Sequence, residues 1–121
     1  GMQLFFSESS EFKKTKGLNL IEGKVKKIPL KENTIPHIGW SKIKKMKENN
    51  LFKNDNDFFY FVHSYYCEPK NKDTILTNTK LKKLNFCSSV ISNNIIGFQF
   101  HPEKSSLAGI NLLKNVLRDF I

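Results

Sequence analysis

The sequence predicts an α/β domain with an incomplete sheet. Three observations carry this. Residues 57–67 are an unbroken run of β-forming side chains, two more β-rich runs flank Ser92-Asn93-Asn94, and an amphipathic helix closes the chain over residues 105–121. The order is helix, strands with a hairpin, then helix. The strands are too few for a sheet covered on both faces, and no strand precedes the opening helix, so the domain reads as partial.

Taken in order, residues 4–12 read as a short helix continued from upstream, since nothing at residue 1 could cap it. Residues 13–17 form a basic loop closed by Gly17. Residues 23–29 alternate, with Val25 and Ile28 flanking Lys26 and Lys27, as in a half-exposed strand. Residues 31–36 are a loop, and residues 39–45, with Trp40 and Ile43, are a further strand. Residues 48–57 are polar and Asn-rich, a loop or one helical turn. The run 57–67 is continuously apolar, which implies burial on both faces. Residues 86–91 and 95–100 pair as a hairpin, because Asn tolerates positive φ in the tight turn between them. In the last helix Leu107, Ile110, Leu113 (or Leu112), Val116 (or Leu117) and Phe120 recur at helical spacing, and Ser105 or Ser106 can cap it.

At 121 residues the chain fits a single domain, 1–121, without internal repeat or linker. Hydrophobic residues at 39%, with 11 Phe, exclude a disordered chain. The formal net charge is +9, and Arg118 is the only Arg among 20 basic residues. Because base reading leans on Arg and the lysines are scattered, the charge reads as a solvated surface instead of a nucleic-acid interface. Cys67 and Cys87 fall in strand-like segments and read as buried free thiols. No clustered Cys/His spacing suggests a metal site, and no cofactor motif is present. No apolar run approaches a membrane span and no signal peptide is visible, so a cytoplasmic location is expected. Gly1-Met2 reads either as a tag remnant before a start Met or as sequence cut from something longer.

The chemistry concentrates in residues 98–105, F-Q-F-H-P-E-K-S. Pro102 biases His101 toward an extended backbone, which would put His101 and Glu103 on one side, within reach of each other. A carboxylate on one imidazole nitrogen fixes the tautomer and leaves the other nitrogen to take a proton from a nucleophile. H-x-E alone also fits a surface His beside an acid.

Five segments in order give the triplet its context: G-M-Q-L at 1–4, G-L-N-L-I-E-G at 17–23, P-H-I-G-W at 36–40, Y-F-V-H-S-Y-Y at 60–66, and F-Q-F-H-P-E-K-S. Together they resemble the class I (triad) glutamine amidotransferases, and within them the glutaminase subunits of imidazole glycerol phosphate synthase. The resemblance implies the C-terminal part of a flavodoxin-like three-layer domain. It implies that His101 and Glu103 are the catalytic base and its orienter. It further implies that Gln3, Glu11, Ser64 and Tyr65 hold the glutamine substrate, and that Trp40, Tyr60 and Lys104 face the synthase (cyclase) subunit. Trp40 and Tyr60 also suit a plain amphipathic rim, and His37 and His63 read as structural hydrogen-bonders. In the family a Cys attacks the glutamine amide and the released ammonia passes to the synthase for histidine biosynthesis. Other readings are a paralogue feeding a surface-sugar pathway and a non-catalytic partner-binding remnant. The family's nucleophile Cys would lie two residues before Gly1, and Cys67 and Cys87 do not match it. The expectation is a chain truncated before its nucleophile that does not hydrolyse glutamine alone.

Overall fold

The structure is a computed structural model that describes residues 2–9, 20–29 and 35–120. Its strands are β1 (Phe6–Ser9), β2 (Ile21–Lys27), β3 (His37–Lys42), β4 (Lys44–Lys45), β5 (Phe58–His63), β6 (Tyr65–Pro69), β7 (Ile75–Leu81), β8 (Leu84–Ser92) and β9 (Ile95–Phe98), followed by helix α1 (Ser106–Phe120). The main sheet runs β1-β2-β6-β8-β7-β4, with β9 also on β8, and β3 and β5 form a separate two-stranded ribbon. Among the described pairings β1 and β2 are parallel and the others antiparallel. The result is the expected mixed α/β architecture with a partial sheet and one closing helix.

Neighbouring residues of the central strands point into different clusters. Leu76 and Phe86 join Phe59, Phe61, Phe100 and Leu112 in one cluster. Ile75 and Cys87 join Phe6, Val25, Cys67 and Val90 in the other. Successive side chains of a strand alternate faces, so the two clusters lie on opposite faces of the main sheet. The first cluster is aromatic and binds the ribbon, α1 and the segment after β9 to the sheet. Phe59 and Phe100 stack at 4.3 Å, and Phe61 meets Phe86 edge-on at 5.8 Å.

Several expectations are corrected. Residues 2–5 form a 3-10 turn and residues 6–9 a strand where a helix was expected, while the remainder of that helix, 10–12, lies outside the described residues. Burial wins over helical reading here: Phe6 is fully enclosed against Ile21 and Val25, and Ser7 and Ser9 are weak helix formers. The loops at 13–17 and 31–34 also lie outside the described residues. The run 57–67 is two strands in two sheets, divided at a bend at Ser64. It is not buried on both faces, since β5 alternates, with Phe59, Phe61 and His63 inward and Phe58 and Val62 exposed. β7 and its turn to β8 escaped the sequence reading, because Lys82 adopts φ 56° where Asn or Gly would have signalled a hairpin. The turn at Asn93, with φ 56°, is as expected.

Candidate active site

His101 follows β9 in an extended conformation, φ −104° and ψ 99°, and Pro102 then opens a 3-10 turn over Pro102–Lys104. The extended His101 agrees with its place before proline. Glu103 is not extended, and the turn carries it back beneath the imidazole. His101 Nδ1 lies 3.2 Å from Glu103 Oε2. The Glu103 carboxyl is held below the usual carboxylate range by its own backbone N–H, with His101 and Lys104 adding to the effect. With Glu103 ionised, Nδ1 carries the imidazole proton and Nε2 is left as the basic nitrogen. Side-chain exposures of 40% and 60% keep the pair open to a reactant.

Two residues pin this turn. The Ser105 hydroxyl, read from sequence as a helix cap, instead donates to the His101 carbonyl at 2.6 Å and accepts from Tyr60 N–H at 2.9 Å. The His101 amide in turn donates to the Tyr60 carbonyl at 2.9 Å. Ser105 is fully buried, so Ser105→Ala strands the Tyr60 N–H, while the His101 carbonyl keeps the Lys104 N–H at 3.0 Å. We expect a loss of about 2 kcal/mol in urea unfolding. Gly109, in α1, faces the turn so closely that an added Cβ would sit 1.9 Å from the Pro102 carbonyl oxygen. Gly109→Ala should destabilise by about 2 kcal/mol in the same assay and displace the His101 resonances, because α1 must back away from the turn.

The substrate residues implied by the resemblance converge in part. Gln3 Nε2 donates to the Tyr65 carbonyl at 3.2 Å and approaches Gln99 Oε1 at 3.4 Å. Ser64 forms the bend between β5 and β6, and its carbonyl accepts from Ile28 N–H at 2.9 Å. Glu11 lies outside the described residues. Gln99 was missed, yet period two in F-Q-F-H could have found it: Phe98 and Phe100 join the aromatic cluster, which turns Gln99 to the other side. His63 donates from Nδ1 to the Tyr65 carbonyl at 2.7 Å, and His37 Nδ1 lies 2.9 Å from His63 Nε2. Both are structural hydrogen-bonders, as read from sequence.

The outer face of the ribbon is set by register. Ile38 opposes Val62, Trp40 opposes Tyr60 and Lys42 opposes Phe58. Trp40 and Tyr60 meet edge-on at 5.8 Å, and Ile38, Trp40, Phe58 and Val62 are all exposed, Ile38 at 60%. Lys104 is exposed on the turn. Tyr60 thus belongs to this face by its side chain and to the His101 turn by its backbone.

Residues 1–120 match the family model described as Glutamine amidotransferase class-I. The chain belongs to this family. Imidazole glycerol phosphate synthase subunit HisH of Chlorobium chlorochromatii (strain CaD3) is 48% identical over 117 residues, 95% of this chain and 58% of that protein. The subunit of the same name from Pyrococcus furiosus is 48% identical over 120 residues, 98% of this chain and 61% of its own length. That of Aquifex aeolicus is 41% identical over 120 residues, 98% and 57%. The amidotransferase chain therefore spans about three fifths of the length of these relatives.

Both cysteines of this amidotransferase chain are buried free thiols, opposed across β6 and β8. Burial pushes both thiols up, Cys87 to about 12, so neither supplies a thiolate near neutral pH. Among the described residues no group of three or more His, Cys, Asp and Glu could hold a metal ion. No described helix is long and apolar enough to cross a membrane.

Proposed function

We propose that this chain carries the base and orienter of a glutaminase subunit that feeds ammonia to the synthase subunit of imidazole glycerol phosphate synthase, in histidine biosynthesis. The observation that carries the reading is the 3.2 Å contact of His101 Nδ1 with an ionised Glu103, which leaves Nε2 as base. The nucleophilic thiolate comes from residues outside this sequence, since Cys67 and Cys87 are buried and protonated. That thiolate adds to the side-chain amide carbon of glutamine. The proton that His101 Nε2 took from the thiol to form that thiolate is delivered to the departing nitrogen, so ammonia leaves and a thioester remains. His101 then takes a proton from water as the water attacks the thioester. Glutamate is released and the thiol regains its proton.

The substrate's amino-acid end falls to Gln3, Ser64 and Tyr65, with Glu11 for its ammonium group. The exposed ribbon face, with Trp40 and Tyr60, and Lys104 nearby, docks the synthase in a heterodimer. An aromatic, well-exposed patch of this kind is more than a folded monomer needs. The reading places the subunit in the cytoplasm, where the opposed free thiols of Cys67 and Cys87 would be kept reduced. The test is to mix this chain with the part of a HisH relative that its alignment leaves uncovered, and then with the synthase. Glutamine-dependent glutamate release that rises on adding the synthase supports the reading. Release that ignores the synthase, or a Trp40→Ala variant that still responds fully to it, removes the docking assignment.

A further inference from the structure

His37 and His63 oppose each other across β3 and β5, each 6% exposed, among Phe61 and Phe86. Ser41 Oγ lies 2.9 Å from His37 Nε2, His37 Nδ1 2.9 Å from His63 Nε2, and His63 Nδ1 2.7 Å from the Tyr65 carbonyl. One proton assignment with both rings neutral satisfies all three contacts. A carbonyl only accepts, so His63 carries its proton on Nδ1. Its Nε2 then accepts from His37 Nδ1–H, and His37 Nε2 accepts from the Ser41 hydroxyl. The donors run in one direction, from Ser41 through His37 and His63 to Tyr65. Burial lowers the affinity of both rings for a second proton, and the ionisable groups acting on His63 are His37 and His101, each of which opposes a further positive charge.

The ends of this chain of bonds matter. Ser41 sits on the ribbon strand that presents Ile38 and Trp40 outward. The last bond spans the bend at Ser64, where the backbone leaves the ribbon for the main sheet, and the Tyr65 carbonyl it reaches also receives the Gln3 amide at 3.2 Å. Apolar side chains would fill the same space without buried polar atoms to satisfy. Buried polar groups linked in this way fix one geometry, because any slip leaves a donor or acceptor unpaired.

We propose that His37 and His63 are positioning residues, an imidazole strut that transmits the placement of the β3–β5 ribbon to the Tyr65 carbonyl and the Gln3 amide. The role in glutamine chemistry rests on the reading of Gln3, Ser64 and Tyr65 as substrate residues, and the test is chosen to stand apart from it. In the uniformly labelled 121-residue chain, imidazole nitrogen spectra at neutral pH should show both rings neutral and protonated on Nδ1. Ser41→Ala removes the first donor without touching Tyr65. The His63 ring nitrogens, the Tyr65 carbonyl carbon and the Gln3 side-chain amide should all shift. His37→Phe keeps a ring against Phe61 and breaks the strut, and amide exchange at Ser64 and Tyr65 should quicken roughly ten-fold or more. An Nε2-protonated His63, or Ser41→Ala shifts confined to Ser41 and its sequence neighbours, would overturn the proposal. These readouts involve no turnover, so they hold even if the glutaminase assay fails, and their own failure leaves the outcome of that assay untouched.

Discussion

His101→Ala, in the enzyme assembled from this chain and the nucleophile-bearing remainder of the family domain, should lower glutamine turnover by roughly 10²–10⁴-fold. The imidazole is the group placed to take the thiol proton, and its Nδ1 is already occupied at 3.2 Å by Glu103. Glu103→Gln should cost less. An amide oxygen can still accept from Nδ1–H, so orientation survives while the charge that stabilises the imidazolium is lost. Neither side chain contacts the amino-acid end of the substrate in the proposed assignment, so kcat should fall while KM for glutamine changes little. Steady-state glutamate release from the two variants, compared with wild type at saturating and limiting glutamine, separates these effects. A large rise in KM with kcat preserved would move His101 from catalysis to binding.

Stability should fall on mild acidification, and His63 should cause most of the fall between pH 6.5 and 4. Burial, opposed only in part by the bond to Tyr65, pushes the His63 imidazole down from 6.5 to about 4. Its unfolded counterpart therefore takes a proton first as pH drops. Stability is complete above about pH 6.5, declines through the window, and levels off below the folded value. The whole window corresponds to an upper bound on the order of 3 kcal/mol, and about 2 kcal/mol should be lost between pH 6.5 and 5. Because the ring is almost fully enclosed, solvent screening discounts this little. Urea midpoints across the window check it, with His63→Asn as the control. That variant retains a side-chain N–H for Tyr65 and loses the titration, so its midpoint should be flatter with pH over the same range.

Much of the site was legible because its chemistry is local. The extended His101 follows from Pro102 and the final hairpin from Asn93, whereas the expected contact with Glu103 is made through a 3-10 turn and not by two residues of one extended segment. The inward Phe98 and Phe100 follow from period two. What the sequence hid was set by distant partners. Ser105 looked like a cap because a Ser before a helix usually is one, yet its hydroxyl serves Tyr60, 45 positions away. Gly109 gives no signal of its closeness to Pro102, because α1 meets the turn only after the chain has folded back. The division of residues 57–67 at Ser64 was invisible in a run without a breaker, since a buried imidazole holding the Tyr65 carbonyl makes the corner. The opening segment misled for a related reason: Phe6 is placed by burial against β2, which local propensity does not encode.

The most direct test is the glutaminase assay on the 121-residue chain by itself. A His–Glu pair that polarises no nucleophile performs no acyl transfer, and the two thiols the chain owns are buried and protonated. Glutamate release from glutamine should therefore match the buffer blank, with or without the synthase subunit, and should appear on supplying the nucleophile-bearing segment. Turnover by the chain alone that disappears in His101→Ala would contradict the division of the active site between this chain and that segment.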